Sequence, residues 1–186
     1  MNEDLSEKII EYFHNQLLSG ENVYAILDSA KQPEVAFKPY EFFSQWVSLY
    51  KGEPEEVLTD VAPYLINLSK DGEMNVPLIE WIATKCWGDS CAIFLESSEN
   101  LETLLKHFQQ FLLVSDENGK TFYFRFYDPR VLRVYLPTCN AEELDMFFGP
   151  VRNFFMENES PENMSCFSNI DSKMAIATID FKEANN

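Results

Sequence analysis

Residues 91–112 pair a short apolar run with a long amphipathic pattern, and this pairing limits the possible folds more than any other stretch. The run CAIFLES at 91–97 has the length and composition of a buried strand. The apolar residues after it keep the i, i+3, i+4 spacing of a helix that buries one face, namely Leu101, Leu104, Leu105, Phe108, Phe111 and Leu112. We predict Ser98 as the N-cap of this helix, with Glu99 and Glu102 in its first turn. A strand followed at once by such a helix predicts a sheet with helices packed on it.

The same two patterns recur along the rest of the chain. Helices are predicted over residues 5–18, 39–50 and 77–87, from Pro129, and after the capping box of Asn140 and Glu143. Strands are predicted over residues 22–29, 63–68, 112–117, 121–128, 151–157 and 174–181. Gly20 is expected to end the first helix, and a turn is expected at 71–73. Asn118-Gly119 is a hairpin signal, so the strands on its two sides are expected to be antiparallel neighbours.

The order of these elements predicts an α/β fold, more narrowly α+β: a single mixed sheet with packed helices and a small C-terminal helical and strand extension. The 186 residues suffice for one domain with a full core. We predict that this domain occupies residues 1–156. Residues 157–186 are expected to form an exposed loop at 157–165, a last strand and a polar tail, because ENESPENMS holds few apolar residues.

The net charge decides which partners can be expected. The chain carries a formal charge of -17, whereas phosphate binding needs Lys and Arg side chains that displace counterions, so neither nucleic acid nor an anionic membrane is an expected partner. A basic protein partner is compatible with this charge. No segment has the uninterrupted apolar length of a transmembrane helix, and MNEDLSEKII lacks the features of a secretory signal. We therefore expect a cytoplasmic protein.

Few residues offer catalytic or metal-binding chemistry. Cys86 and Cys91 are too far apart for a Cys-x-x-Cys motif, and both histidines, His14 and His107, fall in predicted helices. We expect no metal and no cofactor. The motifs of serine hydrolases, P-loop enzymes and zinc proteases are absent. Paired carboxylates remain an alternative, because three aspartates end apolar segments, but turns and caps use aspartate in the same way: Asp28, Asp60 and Asp128. An enzyme is not expected.

The stretch TFYFRFYDPRVLRVYLP at 121–137 combines rings, arginines and an Asp-Pro pair. Strand alternation predicts its three phenylalanines, Phe122, Phe124 and Phe126, on the core face and Arg125 on the other face between Tyr123 and Tyr127. An unpaired buried guanidinium is costly, so Arg125 is expected to meet a carboxylate, Asp28 or Asp60, or to stack between the two rings. Asp128 is expected to cap the next helix, because Pro129 fits a first helical position.

All four arginines of the chain lie between residues 125 and 152, among aromatic residues and methionines. This composition is typical of the centres of protein interfaces, and arginine binds carboxylates through its two-pronged fork. The candidate partner-binding residues are Arg130, Arg133, Tyr135, Phe147, Phe148 and Arg152. The alternative is that the rings fill the core and the arginines pair locally with Glu142, Glu143 and Asp145.

Several segments carry a resemblance to a known family. They are YAILDSA (24–30), the W-x-x-L-Y of 46–50, DVAPYLINL (60–68), WG (87–88), LETLLKHFQQFL (101–112) and above all FRFYDPRVLRVYLP (124–137). In this order, from about Val23 to Phe155, the chain resembles the type VI secretion effector-adaptor family, bacterial chaperones first catalogued as a domain of unknown function. The positions that match the family motif, read mainly as framework, are Asp28, Trp46, Asp60, Pro63, Trp87, Arg125, Tyr127, Asp128, Pro129, Arg130 and Leu136.

The resemblance implies a non-enzymatic role. Members bind a cognate toxic effector in the cytoplasm and help to load it onto the VgrG spike of the secretion machine. Many members have a longer second lobe, whereas only about thirty residues follow Phe155 here. A different reading of the same acidic chain is an immunity-type inhibitor that blocks the active site of a basic toxin.

Overall fold

A seven-stranded antiparallel sheet forms the centre of the computed structural model, which describes residues 3–17, 22–70 and 73–181. The helices are α1 (Glu3–Leu17), α2 (Lys38–Glu41), α3 (Val76–Lys85), α4 (Leu101–Gln109), α5 (Pro129–Tyr135) and α6 (Ala141–Phe148). The strands are β1 (Asn22–Asp28), β2 (Trp46–Ser48), β3 (Pro63–Asn67), β4 (Ser69–Lys70), β5 (Glu73–Met74), β6 (Ala92–Ser97), β7 (Leu113–Ser115), β8 (Thr121–Tyr123), β9 (Asn153–Glu157), β10 (Asn163–Ile170) and β11 (Lys173–Asp180). Short 3-10 turns span Pro33–Ala36, Pro54–Val57, Thr59–Val61 and Leu136–Thr138.

The strand order of the large sheet is β11-β10-β9-β6-β1-β3-β2, and each neighbouring pair is antiparallel. The pairs β4-β5 and β7-β8 form separate two-stranded hairpins. The expected α+β class is therefore confirmed, although the large sheet is antiparallel throughout and not mixed. The division of the chain after residue 156 stays a prediction, and the large sheet continues past that point because β9 runs to Glu157 and pairs with β10.

The core lies on both faces of the central strands. Every residue of β6 is buried, and so is β1 after its first residue, as expected for strands covered on two sides. On one face, Phe13 of α1 contacts the rings of Phe94 and Phe155 at centroid distances of 4.9 and 5.4 Å. Another ring cluster joins α4 to the segment between β8 and α5, where Phe108 stacks on Phe126 at 5.5 Å. The amphipathic face predicted for α4 is confirmed, since its Leu104, Leu105 and Phe108 are buried.

The helix predicted over residues 39–50 is wrong after Glu41. α2 ends at Glu41, and Trp46–Ser48 forms the edge strand β2, paired with β3. The physical reason is a break between them: Phe43 has a φ of 54°, and the Asn75 side chain donates to the Phe42 carbonyl at 2.8 Å. Aromatic residues suit strands as well as helices, so their spacing was ambiguous.

Other differences concern element ends. The N-cap of α4 is Asn100 and not Ser98; its side chain accepts hydrogen bonds from the amides of Glu102 and Thr103 at 3.0 Å. The hairpin across Asn118-Gly119 is confirmed, although β8 stops at Tyr123 and Phe122 is exposed. Residues 157–165 are not an exposed loop throughout, because β10 starts at Asn163 and buries Met164. The expectations at Gly20, at residues 71–72 and for the polar tail at 182–186 lie outside the described residues.

Candidate partner-binding groove

The carboxylate of Asp28 anchors the site at the end of β1. This side chain is fully buried, accepts a hydrogen bond from the Ala30 amide at 3.1 Å and forms an ion pair with Arg125. The guanidinium of Arg125 also lies over the ring of Tyr127, at 5.8 Å. The predicted pairing of Arg125 with an aspartate is confirmed for Asp28, but its predicted burial is wrong, because 43% of its side chain is exposed. Asp60 is exposed on a 3-10 turn.

Asp128 holds the first turn of α5. Its carboxylate caps the helix by accepting from the Arg130 amide at 3.0 Å, and it binds the Arg130 guanidinium through two hydrogen bonds of 3.0 and 2.7 Å. Lys31 lies 3.3 Å from the same carboxylate. Burial alone would raise the pKa of Asp128, but the hydrogen bonds and positive charges of Arg130 and Lys31 outweigh it and lower that pKa. The predicted N-cap, with Pro129 in the first turn, is confirmed.

The loop after α3 ties this region to the C-terminal strands. The buried carboxylate of Glu157 accepts hydrogen bonds from the amide and the hydroxyl of Ser90, both at 2.9 Å, and from the amide of Gly88. Trp87 is buried and its indole N–H donates to the Pro161 carbonyl at 2.6 Å. Arg133 donates to the backbone carbonyl of Glu157. α5 is thereby fixed against the turn that leads into β10.

A groove of about 530 Å³ runs between α5 and the β10-β11 hairpin, and we call it the α5 groove. Its floor consists of two cross-strand pairs, Phe167 with Ile176 and Ser165 with Thr178. Its wall is the face of α5 that carries Arg130, Arg133 and Val134, and Pro137, Asn158 and Glu159 complete its lining. The groove thus offers apolar surface beside two guanidinium groups.

Only part of the predicted partner-binding set reaches this groove. Arg130 and Arg133 line it. Tyr135 turns away and packs on Phe124 at 4.7 Å and on Phe147 at 5.5 Å. Phe147 and Phe148 cannot contact a partner in this fold, because both are buried in the ring cluster of the core. This corrects their assignment.

The remaining candidates also lie elsewhere. Arg152 is exposed beside the start of β9, where its amide donates to the Glu96 carbonyl at 2.9 Å, and it is not part of the groove lining. Two of the carboxylates expected as local arginine partners in the alternative interpretation bind other groups. Glu143 completes the capping box of α6, and Asp145 accepts from Asn169 and Ser172 at 2.7 Å. Trp46 lies at the far edge of the sheet, where its ring contacts Tyr40 and Tyr64.

Sequence reasoning missed the floor of the groove. The alternation in MAIATIDF at 174–181 predicts β11, and Ile176 and Thr178 fall on one face of it. Its partner β10, NMSCFSNI, mixes polar and apolar residues and carries no comparable signal. Phe167 could have been found only through pairing with β11.

Metal-ligating and titratable side chains elsewhere in the described part of the chain are scattered or held by the packing. No group of three or more His, Cys, Asp or Glu side chains in residues 3–17, 22–70 and 73–181 is placed to hold a metal ion. The pKa of the buried Cys86 thiol is raised by its hydrogen bond with Cys91 and by burial. Burial lowers the pKa of His107, whose Nε2 forms a hydrogen bond with the Phe147 carbonyl at 2.8 Å. Among the helices described, none has the length and apolar character to span a membrane.

These features define an α+β protein with an antiparallel sheet and an arginine-walled groove at one end. Residues 23–146 match the family described as Domain of unknown function (DUF4123), and the chain belongs to that family. Neither a curated protein nor a solved structure matches the chain.

Proposed function

We propose that this protein is a non-enzymatic adaptor that binds a cognate type VI secretion effector in the cytoplasm and promotes its loading onto the VgrG spike. The observation that carries the proposal is the α5 groove, whose wall is the PRVLRV segment of the motif that resembles that adaptor family. Membership of the DUF4123 family is consistent with this role.

The composition of the groove supports protein binding. Val134 is 70% exposed and Ile176 is 54% exposed, so apolar surface is available in the wall and the floor. Arg130 and Arg133 add guanidinium groups, which can bind a carboxylate or a backbone carbonyl of a partner. Apolar residues with arginine are typical of the buried centres of interfaces.

The anchoring of the two arginines supports the same role. Arg130 is held by the Asp128 carboxylate, and Arg133 by the Glu157 carbonyl, while 60% of the Arg130 side chain remains exposed. A side chain that is already ordered loses less conformational entropy when a partner binds. The groove therefore presents a prepared surface to a protein ligand.

The proposal is tested by comparing two single substitutions in affinity capture. Val134→Glu places a charge in the groove, whereas Met146→Glu makes the same change on an exposed position of α6 outside it. We expect the tagged parent to capture one effector together with VgrG from its native cell, Val134→Glu to lose most of the effector, and Met146→Glu to retain it. Equal capture of the effector by both variants would show that the effector does not bind at the α5 groove.

The charge of -17 favours one competing function, inhibition of a basic toxin. The two functions differ in what happens to the captured effector. An adaptor leaves the activity of the purified effector intact and bridges it to VgrG, while an inhibitor abolishes that activity in a one-to-one mixture. Loss of activity without binding of VgrG would replace the adaptor role by the inhibitor role.

A further inference from the structure

In the described part of the chain, the end of the sheet opposite the α5 groove finishes in β2, which has a neighbouring strand, β3, on one side only. Leu49 donates to the Pro63 carbonyl at 2.9 Å, and Asn67 donates to the Gln45 carbonyl at 2.8 Å. Backbone groups alternate in direction along an antiparallel strand, so those of Gln45, Val47 and Leu49 face β3. The backbone groups of Trp46 and Ser48 therefore point outward.

Part of this outer edge is available for hydrogen bonding. The Ser48 carbonyl accepts from the Lys51 amide at 3.1 Å within a turn. The amide and carbonyl of Trp46 and the amide of Ser48 have no backbone partner among residues 3–17, 22–70 and 73–181. An edge strand of this kind is a template for one further strand.

Two grooves flank this edge, one for each face of the sheet. The groove on the α4 face has a volume of about 460 Å³ and is lined by Leu101, Leu105 and Gln109 together with Val47. The groove on the other face has a volume of about 320 Å³ and is lined by Thr59, Tyr64, Ser48 and Glu56. Trp46, Val47 and Lys51 border both. Successive side chains of a strand point to opposite faces, so a strand added to β2 would fill both grooves alternately.

We propose that the outer edge of β2 binds an extended segment of a partner protein as an added strand, with apolar side chains in the two grooves and basic residues at its ends. Backbone hydrogen bonds supply affinity in this mode of recognition, and the pockets on either side select the sequence. The proposal does not depend on the role of the α5 groove, which lies at the opposite end of the sheet.

Charge identifies the basic character of the segment. Residues 51–60, which follow β2, contain one basic side chain, Lys51, and four acidic ones: Glu53, Glu55, Glu56 and Asp60. Two lysines near the edge are already paired, Lys106 with Glu102 at 2.7 Å and Lys38 with Glu41 at 2.7 Å. A basic segment thus complements this surface. A second copy of the chain does not, since it would bring the same carboxylates together on a molecule of charge -17.

Exposed apolar residues extend the contact surface on both sides of β2 in the sequence. Before the strand, Tyr40 touches the Trp46 ring at 5.1 Å and Phe43 is 81% exposed, in a backbone conformation with φ of 54° that is rare outside glycine. After it, Val57 is 82% exposed. A segment bound at β2 could bury these exposed apolar groups and gain contact area from them.

The test uses two synthetic peptides and the full chain. The first is Lys-Lys-Val-Val-Thr-Val-Val-Lys-Lys, which places valine on both faces of an added strand, and the second has glutamate in place of every lysine. We expect saturable binding of the basic peptide in fluorescence anisotropy, about tenfold or more weaker binding of the acidic one, and slower hydrogen exchange of the Trp46 and Ser48 amides when the basic peptide is bound. No saturable binding of the basic peptide, or equal binding of both, would overturn the proposal.

Three variants locate the site. Ser48→Pro removes the outward amide, so we expect about tenfold weaker binding, while Ser48→Ala keeps that amide and should bind like the parent. If Ser48→Pro does not fold, the double variant Glu53→Lys, Glu56→Lys reports instead, and it too should bind the basic peptide about tenfold more weakly. Binding unchanged in these variants, or an edge already closed by a dimer in sedimentation velocity, refutes a peptide site at β2. Val134→Glu should not change peptide binding, which separates this test from that of the α5 groove.

Discussion

The two ends of the large sheet differ in charge and in how firmly their polar groups are held. At the β11 end, Arg130 and Arg133 wall the α5 groove, and each is fixed by a partner within the fold. At the β2 end, the nearby carboxylates lie in exposed turns, and no strand among the described residues pairs with the outer edge of β2. The difference teaches that the two edges of one sheet can be built differently, with arginines fixed within the fold at one edge and a short strand beside acidic turns at the other.

The two ends also differ in their relation to the family match. The β2 edge and both of its grooves are built within residues 23–146. The α5 groove joins a helix inside the match to a floor from β10 and β11, which lie outside it. We infer that the β2 edge belongs to the family framework, whereas the α5 groove is completed by the C-terminal hairpin of this chain.

The largest expected effect is a difference in unfolding free energy between two tryptophan truncations, Trp87→Ala and Trp46→Ala. Trp87→Ala removes a buried ring that packs on Phe94 at 6.1 Å and donates to Pro161, so the free energy of unfolding should fall by about 3–5 kcal/mol. Trp46→Ala at the half-buried β2 edge should cost only about 1–2 kcal/mol. Urea denaturation of both variants measures the difference. Equal losses would mean that the β2 edge is as much a part of the core as the Trp87 region.

A second comparison separates the two arginine–aspartate pairs. Arg125→Ala leaves the buried Asp28 carboxylate without its ion-pair partner, so we expect a loss of about 1–3 kcal/mol in unfolding free energy. Arg130→Ala should cost less than about 1 kcal/mol, because its side chain is mostly exposed and the Asp128 cap on α5 remains. Thermal and urea unfolding give both values. An Arg125→Ala variant as stable as the parent would show that Asp28 is satisfied by backbone amides alone.

Local patterns determined how much of this could be predicted from the sequence. The strands predicted at 91–97 and 63–68 and the amphipathic helix α4 are found where they were expected. Burial of one or two faces of an element determines the spacing of its apolar residues, so the sequence shows it. The caps Asp128 and Asn140 are predictable from the sequence, because capping depends on residues within one turn.

What could not be predicted depends on contacts between distant segments. Trp46 joins a strand only because β3 pairs with it, and Phe147 is buried only because Phe111 and Phe154 pack on it. The local sequence does not distinguish an aromatic residue of the core from one of an interface. The prediction is therefore wrong for two of the six candidate partner residues, which are buried: Phe147 and Phe148. The α5 groove itself arises from the packing of α5 on a hairpin that begins about thirty residues further along.

The pH dependence of stability should come partly from Asp128. Its pKa is lowered in the folded protein, so its charged form stabilises the fold above the ordinary aspartate pKa of about 3.9 and this contribution is lost as the pH falls through the lower, folded value. Asp128→Asn keeps a capping oxygen but removes the charge. We expect its unfolding free energy to fall less steeply than that of the parent below about pH 4. Parallel acid curves for the two proteins would contradict the role of Asp128.

The smallest expected effect is the change that added salt makes to the pKa values of two carboxylates, Glu102 and Asp128. Glu102, which borders the α4-side groove at the β2 edge, has its pKa lowered by the hydrogen bond and charge of Lys106, and both side chains are exposed. Salt screens exposed pairs far more than buried ones, so the pKa of Glu102 in an NMR titration should rise toward its ordinary value in high salt, as it should in Lys106→Gln. The pKa of the buried Asp128 should move less. A larger salt response at Asp128 than at Glu102 would reverse the contrast between a firmly held α5 end and an open β2 end.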